Sequence, residues 1–223
     1  MPCEAQVEDR VAAARARSDA QLRARFAKAG VTYPAEELFF RAFKREAVLE
    51  VWARGAQDRL RLIHTYAWTV NSGEPGPKRR EGDRQIPEGF YQIDAFNPES
   101  RFHLSLRVNY PNASDRVRAD PEKPGFDIYI HGNQVSVGCL ALGDAAIEEI
   151  YLMALDARNR DSIAAHIFPA RMKGAEWEKL QAAHASLAAF WAELQPGFDA
   201  FERTKRVPRV TVEEDGRYVV GLE

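Results

Sequence analysis

Apolar positions in the first thirty residues recur at helical spacing. Val7 and Val11, then Leu22 and Phe26, fall on four-residue steps with alanines between them. Gly30 stands where a C′ residue belongs, so helix is expected over 4–29. Ser18 with Gln21 resembles a capping box that would divide this stretch into two shorter helices. The pattern then changes period. RLRLIHTYAWTV is rich in β-formers and alternates at Leu60, Leu62 and His64. With the two apolar runs before it, this predicts three strands at about 38–43, 47–53 and 59–69, joined by turns at Lys44–Glu46 and Arg54–Asp58. His64 reads as a structural histidine.

Residues 71–89 carry clustered glycine and proline and are expected to be a loop. FYQID at 90–94 and FHLSLRVNY at 102–110 read as strands, the second burying Leu104, Leu106 and Val108 and turning His103 the other way. YPNASDR at 110–116 reads as a turn-rich loop. Asp144 is expected to cap a helix through about Leu155, with Ile147, Ile150, Tyr151 and Ala154 on its buried face. HIFP at 166–169 reads as a strand. A helix is expected from Glu176 to Leu194, with Trp177, Leu180, Leu187, Trp191 and Leu194 inward and Pro196–Gly197 ending it. RVTVEEDGRYVVG reads as a hairpin turning at Asp215–Gly216.

These elements predict an α+β fold: a β-rich core of mixed sheets or a β-sandwich, with helices at the N-terminus, after Cys139 and near the C-terminus. The expected division is an N-terminal helical segment at 1–35, a β-rich domain at 36–172, and a helix and hairpin at 173–223 packed on it. With 223 residues, 45% of them hydrophobic and 29% charged, the chain is long enough to bury a sizeable core. A net charge of −2 gives no support for a nucleic-acid or anionic-membrane partner. No apolar stretch is long enough to span a bilayer, and charges between Glu4 and Arg17 interrupt any signal-peptide core.

Chemistry concentrates in DIYIHGNQVSVGCLALGD, Asp127 to Asp144. Cys139 is one of two cysteines and His131 one of five histidines. A thiol is mostly protonated at neutral pH, and an imidazole either accepts its proton or stands beside the thiolate as a cation. Gly132 and Gly138 permit backbone geometries that other residues resist. Backbone N–H groups around Val137, Gly138 and Cys139 are candidates to face an oxyanion, and Ser136 to bond substrate or loop. The bland alternative is a cysteine and a histidine that never meet. A Cys3–Cys139 disulfide is conceivable but is a weak design in a chain this large. Neither a metal site nor a cofactor is expected, since cysteine and histidine spacing and the absence of phosphate-binding glycine motifs give no support.

IHGNQVSVGC resembles the active-site signature of the L,D-transpeptidase catalytic domain family (YkuD-like), in which His-Gly and Ser-x-Gly-Cys flank one loop. GPKRREGDRQIPEGFYQI is similar to that family's lysine, glycine-aspartate, proline-glycine segment. The short His-to-Cys spacing, with NYPNASDR, GCLALGD and HIFPARM, resembles its YafK-type branch, and the similarity runs from about Leu38 to Arg171. The resemblance implies acyl transfer on bacterial peptidoglycan. Cys139 would attack at the L-centre of diaminopimelate in a stem peptide, leaving a thioester, with His131 as base and the Gly132 carbonyl holding its other nitrogen. The family commonly carries arginine two residues after the cysteine, whereas this chain has Leu140-Ala141. A substrate carboxylate must then be held from elsewhere: Lys78, Arg79, Arg84, Arg116 and Arg171 are candidates, with Tyr110 and Asn112 as further substrate contacts.

The branch includes enzymes that cut at diaminopimelate. A hydrolase using the same site, either an amidase freeing wall-attached lipoprotein or an L,D-carboxypeptidase, is therefore the first alternative, and a non-catalytic wall-binding module the second. The resemblance also implies export to the periplasm with the signal peptide already removed. It leaves open whether Cys3 is lipid-modified in a precursor, and the oligomeric state.

Overall fold

The computed structural model describes residues 9–55, 59–70 and 72–221. Helix α1 (Arg10–Ala29) is one continuous element. Asp9 caps it by accepting the Val11 and Ala12 N–H groups, and Gly30 ends it in the left-handed region at φ 66°. The expected break at Ser18 does not occur, because Ser18 lies on the buried stripe with Ala14, Leu22 and Phe26 and the packed face carries the helix through. Cys3 lies outside the described residues, and so does any disulfide it could form.

Eight strands follow: β1 (Glu37–Phe43), β2 (Val48–Arg54), β3 (Arg61–Ala67), β4 (Gly89–Asn97), β5 (Ser105–Val108), β6 (Ile128–His131), β7 (Leu140–Ala141) and β8 (Ala164–Phe168). They form one sheet in the order β3-β2-β1-β8-β4-β5-β6-β7, in which only β1–β8 and β6–β7 run parallel. The sheet curls until its two edges meet. Beyond the end of β3, Val70 bridges Ala141 and the Thr69 N–H donates to the Ala141 carbonyl at 2.9 Å. The strands at the expected positions 38–43, 47–53 and 59–69 are thus present, and His64 is structural, its Nδ1 2.8 Å from Arg25 Nη1.

Strand β1 is buried on both faces, which is why Leu38 to Phe43 show no clean alternation. Leu38, Phe40 and Ala42 enter the main core with α1 and with α3 (Asp144–Asp156), whose Ile147, Ile150, Tyr151 and Ala154 are all buried. Phe39 and Phe43 face the other way, toward α4 (Gly174–Ala183) and α5 (Ala188–Thr204). On that second face Arg41 is fully buried, paired with Glu202 at 2.9 Å and packed 4.3 Å from the Phe201 ring centroid.

Three expectations need correction. YPNASDR is not a loop: Asn112 and Asp115 form a reciprocal capping box that starts α2 (Ala113–Arg118). The helix expected at 176–194 is divided by a 3-10 turn at Ala185–Leu187, and Pro196 lies inside α5 instead of ending it. Proline removes one helical hydrogen bond, but Trp191, Leu194, Phe198 and Phe201 keep that helix face buried on both sides of it. Finally, Gly143, not Asp144, is the N-cap of α3. The hairpin is as expected, with β9 (Val210–Val212) and β10 (Tyr218–Val220).

A buried clasp ties the C-terminal helices to the loop before β4. Glu88 Oε1 accepts from Lys44 Nζ at 2.9 Å and from the Gly76 N–H at 2.7 Å, while its Oε2 accepts from Trp191 Nε1 at 2.8 Å. Removing the cation from such a pair leaves a buried charge uncompensated, at a cost of about 3–5 kcal/mol. Lys44→Met is therefore expected to lower Tm by about 6–20 °C in a thermal scan. A Lys44→Met melting point within about 2 °C of the parent would remove the clasp from the account of stability.

Candidate active site

The apolar residues Ile128 and Ile130 drive β6 into the core, and His131 ends it with only 1% of its surface exposed. Strand β7 pairs with it in parallel, Ile130 opposite Leu140 and His131 opposite Ala141. Continued one residue back, that register sets Cys139 beside Tyr129. Alternation then places Tyr129, His131 and Cys139 on one face of the sheet and Ile130 and Leu140 on the core face.

His131 Nδ1 is 2.5 Å from the Gly132 carbonyl oxygen, so the N–H lies on Nδ1 and Nε2 carries the free lone pair. Its ring stacks on Phe102 at 4.7 Å. Burial lowers the imidazole pKa, opposed by the Gly132 hydrogen bond. Gly132 is required by close approach: a Cβ there would lie 2.6 Å from Asp144 Oδ1 and 2.7 Å from the Phe102 carbonyl oxygen. Asp144, expected as a helix cap, holds the loop instead, its Oδ1 accepting the Asn133 N–H at 2.7 Å.

Cys139 Sγ accepts the Tyr129 N–H at 3.4 Å and lies 4.0 Å from the Asp127 carbonyl oxygen. Among the described residues no hydrogen bond joins it to His131. Burial raises the thiol pKa; the Tyr129 N–H and the Lys78 charge oppose that shift, and Asp127 adds to it. The resting pair is therefore a neutral thiol and a neutral imidazole, which disfavours the arrangement of thiolate beside imidazolium.

Serine hydroxyls occupy the backbone donors expected to face an oxyanion. The Gly138 N–H donates to Ser72 Oγ at 2.8 Å and the Cys139 N–H to Ser136 Oγ at 3.0 Å. Ser136 Oγ also donates to the Cys139 carbonyl at 2.6 Å, so Ser136 serves the loop. Gly138 adopts φ +88°, and Val137 beside it is 67% exposed at the loop surface. Phe102, Phe126, Val135 and Val137 together form exposed apolar surface on the segments around the cysteine.

The candidate cations separate. Lys78 is buried, donating to Asp83 Oδ1 at 2.5 Å and to the Arg80 carbonyl at 3.0 Å, with its charge felt at Cys139. Arg79 is paired with buried Asp115 at 3.1 Å. Arg171 is paired with Glu50 at 2.6 Å on β2, which four strands separate from β6 in the sheet order. Arg84 and Arg116 are exposed, and no described residue pairs with either guanidinium. Arg84 adjoins the nucleophile loop: a Cβ on Gly138 would meet the Gln85 carbonyl oxygen at 3.1 Å and Arg84 C at 3.9 Å. Asn112 and Tyr110 are committed to the fold. Asn112 Nδ2 donates to the Phe90 carbonyl at 2.9 Å and to Tyr218 Oη at 2.8 Å, and Tyr110 Oη donates to the Pro124 carbonyl at 2.8 Å. Sequence reasoning missed Ser72 and the Tyr129 N–H, since neither a loop serine nor a backbone donor carries a motif signal.

The L,D-transpeptidase catalytic domain family, YkuD, matches residues 44–164, more than half of the chain. YafK of Escherichia coli, from strains K12 and O157:H7 and described provisionally as an L,D-transpeptidase, is 34% identical over 187 residues, or 82% of this chain and 73% of that protein. A K307A mutant of the helical cell shape determining protein Pgp2 from Campylobacter jejuni shares the fold at TM-score 0.50 and 20% identity, over 81% of this chain and 63% of that one. This chain therefore covers less than two thirds of the Pgp2 structure. The curled sheet with its His-Gly and Ser-x-Gly-Cys loop and the two sequence matches agree: this chain belongs to the YkuD family of L,D-transpeptidase catalytic domains.

Proposed function

We propose that the protein is a cysteine acyltransferase of bacterial peptidoglycan acting at the L-centre of diaminopimelate in a stem peptide. The observation that carries this reading is the shared sheet face of Cys139 and His131, with the imidazole tautomer set by Gly132. In the complex, the thiol turns from Asp127 toward Nε2, which accepts its proton as sulfur bonds the carbonyl carbon. The tetrahedral oxyanion is met by the Gly138 or Cys139 N–H after a serine hydroxyl is displaced. The amine of the terminal D-amino acid leaves with the proton from His131, and the Cys139 thioester remains for an acceptor. The apolar rim of Phe102, Phe126, Val135 and Val137 sheds water as substrate docks. Family membership supports a cell-wall setting for this reaction, and export to the periplasm is part of the same reading. No described helix is long and apolar enough to cross a membrane.

Digestion of isolated sacculi and defined tetrapeptide muropeptides, read by mass, tests the reading. Cross-linked products report an amine acceptor; a trimmed stem or a freed wall protein reports water. Cys139→Ala and Cys139→Ser are both expected to reduce turnover by about 10³-fold or more while unfolding cooperatively. Turnover near the parent level in either variant would sink the nucleophile assignment.

The neutral resting pair sets a pH dependence. A raised thiol pKa keeps the thiolate scarce at pH 7, so alkylation of Cys139 by iodoacetamide should climb with pH to a midpoint above about 8.5, with no plateau at pH 6–7. A reactive plateau below pH 7 would instead establish a resting ion pair with His131.

Arg84 is the cation beside the nucleophile loop that no described residue has claimed, and we assign it the substrate carboxylate. Arg84→Ala should cost roughly 10- to 150-fold in kcat/KM and leave iodoacetamide reactivity nearly unchanged. Arg171→Ala, by contrast, should lower stability through Glu50 with little direct effect on substrate binding. Loss of kcat/KM within about twofold for Arg84→Ala would move the clamp to Arg116 or Lys78.

A further inference from the structure

A cleft of about 460 Å³ lies between the outer face of β4 and β8 and the C-terminal hairpin. It shares no lining residue with the Cys139 loop. Its floor is His166, 4% exposed, held edge-on between the rings of Phe39 at 4.7 Å and Phe90 at 4.8 Å. Neither ring nitrogen of His166 has a hydrogen-bond partner among the described residues, and Nδ1 is fully buried. An orphaned polar group at that depth is costly unless something bonds it. At the mouth stands Arg209, exposed, with no described residue pairing its guanidinium. Asn109 spends its Oδ1 on the Gln92 N–H at 2.9 Å, leaving its Nδ2 to donate. Phe90 and Val210 supply apolar walls.

We propose that this cleft is a second binding site, for a small carboxylate that carries a hydrogen-bonding group and an apolar body. The carboxylate would lie on Arg209 as a two-toothed pair, the polar group would reach His166, and the body would pack on Phe90 and Val210. With Nδ1 buried, only Nε2 can meet the cleft, and a neutral imidazole nitrogen that gives or takes one hydrogen bond suits an amide or hydroxyl better than a second anion. The choice of source rests on the wall chemistry proposed above. Two wall components share this chemistry: the lactyl carboxylate of an N-acetylated muramic acid, and the terminal carboxylate of an N-acylated D-amino acid.

The full chain is titrated with N-acetylmuramic acid and with N-acetyl-D-alanine, followed by amide NMR shifts, with N-acetylglucosamine as the carboxylate-free control. At least one carboxylate should saturate with Kd at or below about 1 mM, and the control should bind at least tenfold more weakly. The tighter of the two carboxylates identifies glycan or peptide as the source. Arg209→Gln, at an exposed position, should weaken that binding about tenfold or more, as should His166→Phe. If His166→Phe does not fold, Arg209→Gln decides alone. Failure of both carboxylates to saturate by about 10 mM, or an Arg209→Gln Kd within twofold of the parent, overturns the site. The same titration on Cys139→Ala separates the two readings. Binding retained with no wall turnover in the parent overturns the acyl-transfer reading alone, and turnover without binding overturns this inference alone.

Discussion

The two-residue pairing of β7 with β6 is the constraint on which the site depends. Leu140 and Ala141 are fully buried, paired to Ile130 and His131 on one side and bridged to Val70 on the other. That single rung both closes the curled sheet and fixes the register of the residue just before it. A slip of one position would turn Cys139 to the core and Leu140 to the cleft, because side chains alternate with period two. The proposed nucleophile is thus positioned by the apolar burial of its neighbour.

Burial then works against charge on both groups of the candidate pair. Burial pushes the thiol up and the imidazole down, and each shift opposes the same proton transfer. What favours the thiolate is local and directional: the Tyr129 N–H at 3.4 Å and the nearby charge of Lys78. Under the acyl transfer proposed above, such a site holds its reactivity until substrate displaces water and supplies a new acceptor for the charge.

Contacts run without a gap from the C-terminal helices to that loop. Trp191 donates to Glu88, Glu88 and Lys44 hold Gly76, and the same loop carries Ser72, which receives the Gly138 N–H. The C-terminal layer is therefore part of what shapes the Cys139 loop. Its outer cleft at His166 uses the opposite face of the strand that pairs with β1 at the centre of the sheet.

Much of this was legible in the sequence where local rules act alone. The three early strands, the Gly30 stop, the buried face of α3 and the hairpin at Gly216 follow from periodicity and turn chemistry. The α+β class follows with them. His131, Gly132 and Cys139 became candidates because a scarce thiol and imidazole share one glycine-rich loop. What only tertiary structure decided was everything set by partners distant in sequence. Pro196 stays helical because an aromatic layer holds α5 on both sides of it. Ser18 does not break α1 because it faces that helix's packed stripe. Among seven candidate substrate contacts, Arg79, Arg171, Tyr110 and Asn112 are bound to Asp115, Glu50, Pro124 and Phe90, residues 14 to 121 positions away by number, while Arg84 is left unpaired beside Gly138. A charge's availability depends on what else the fold brings to it, and no local pattern encodes that.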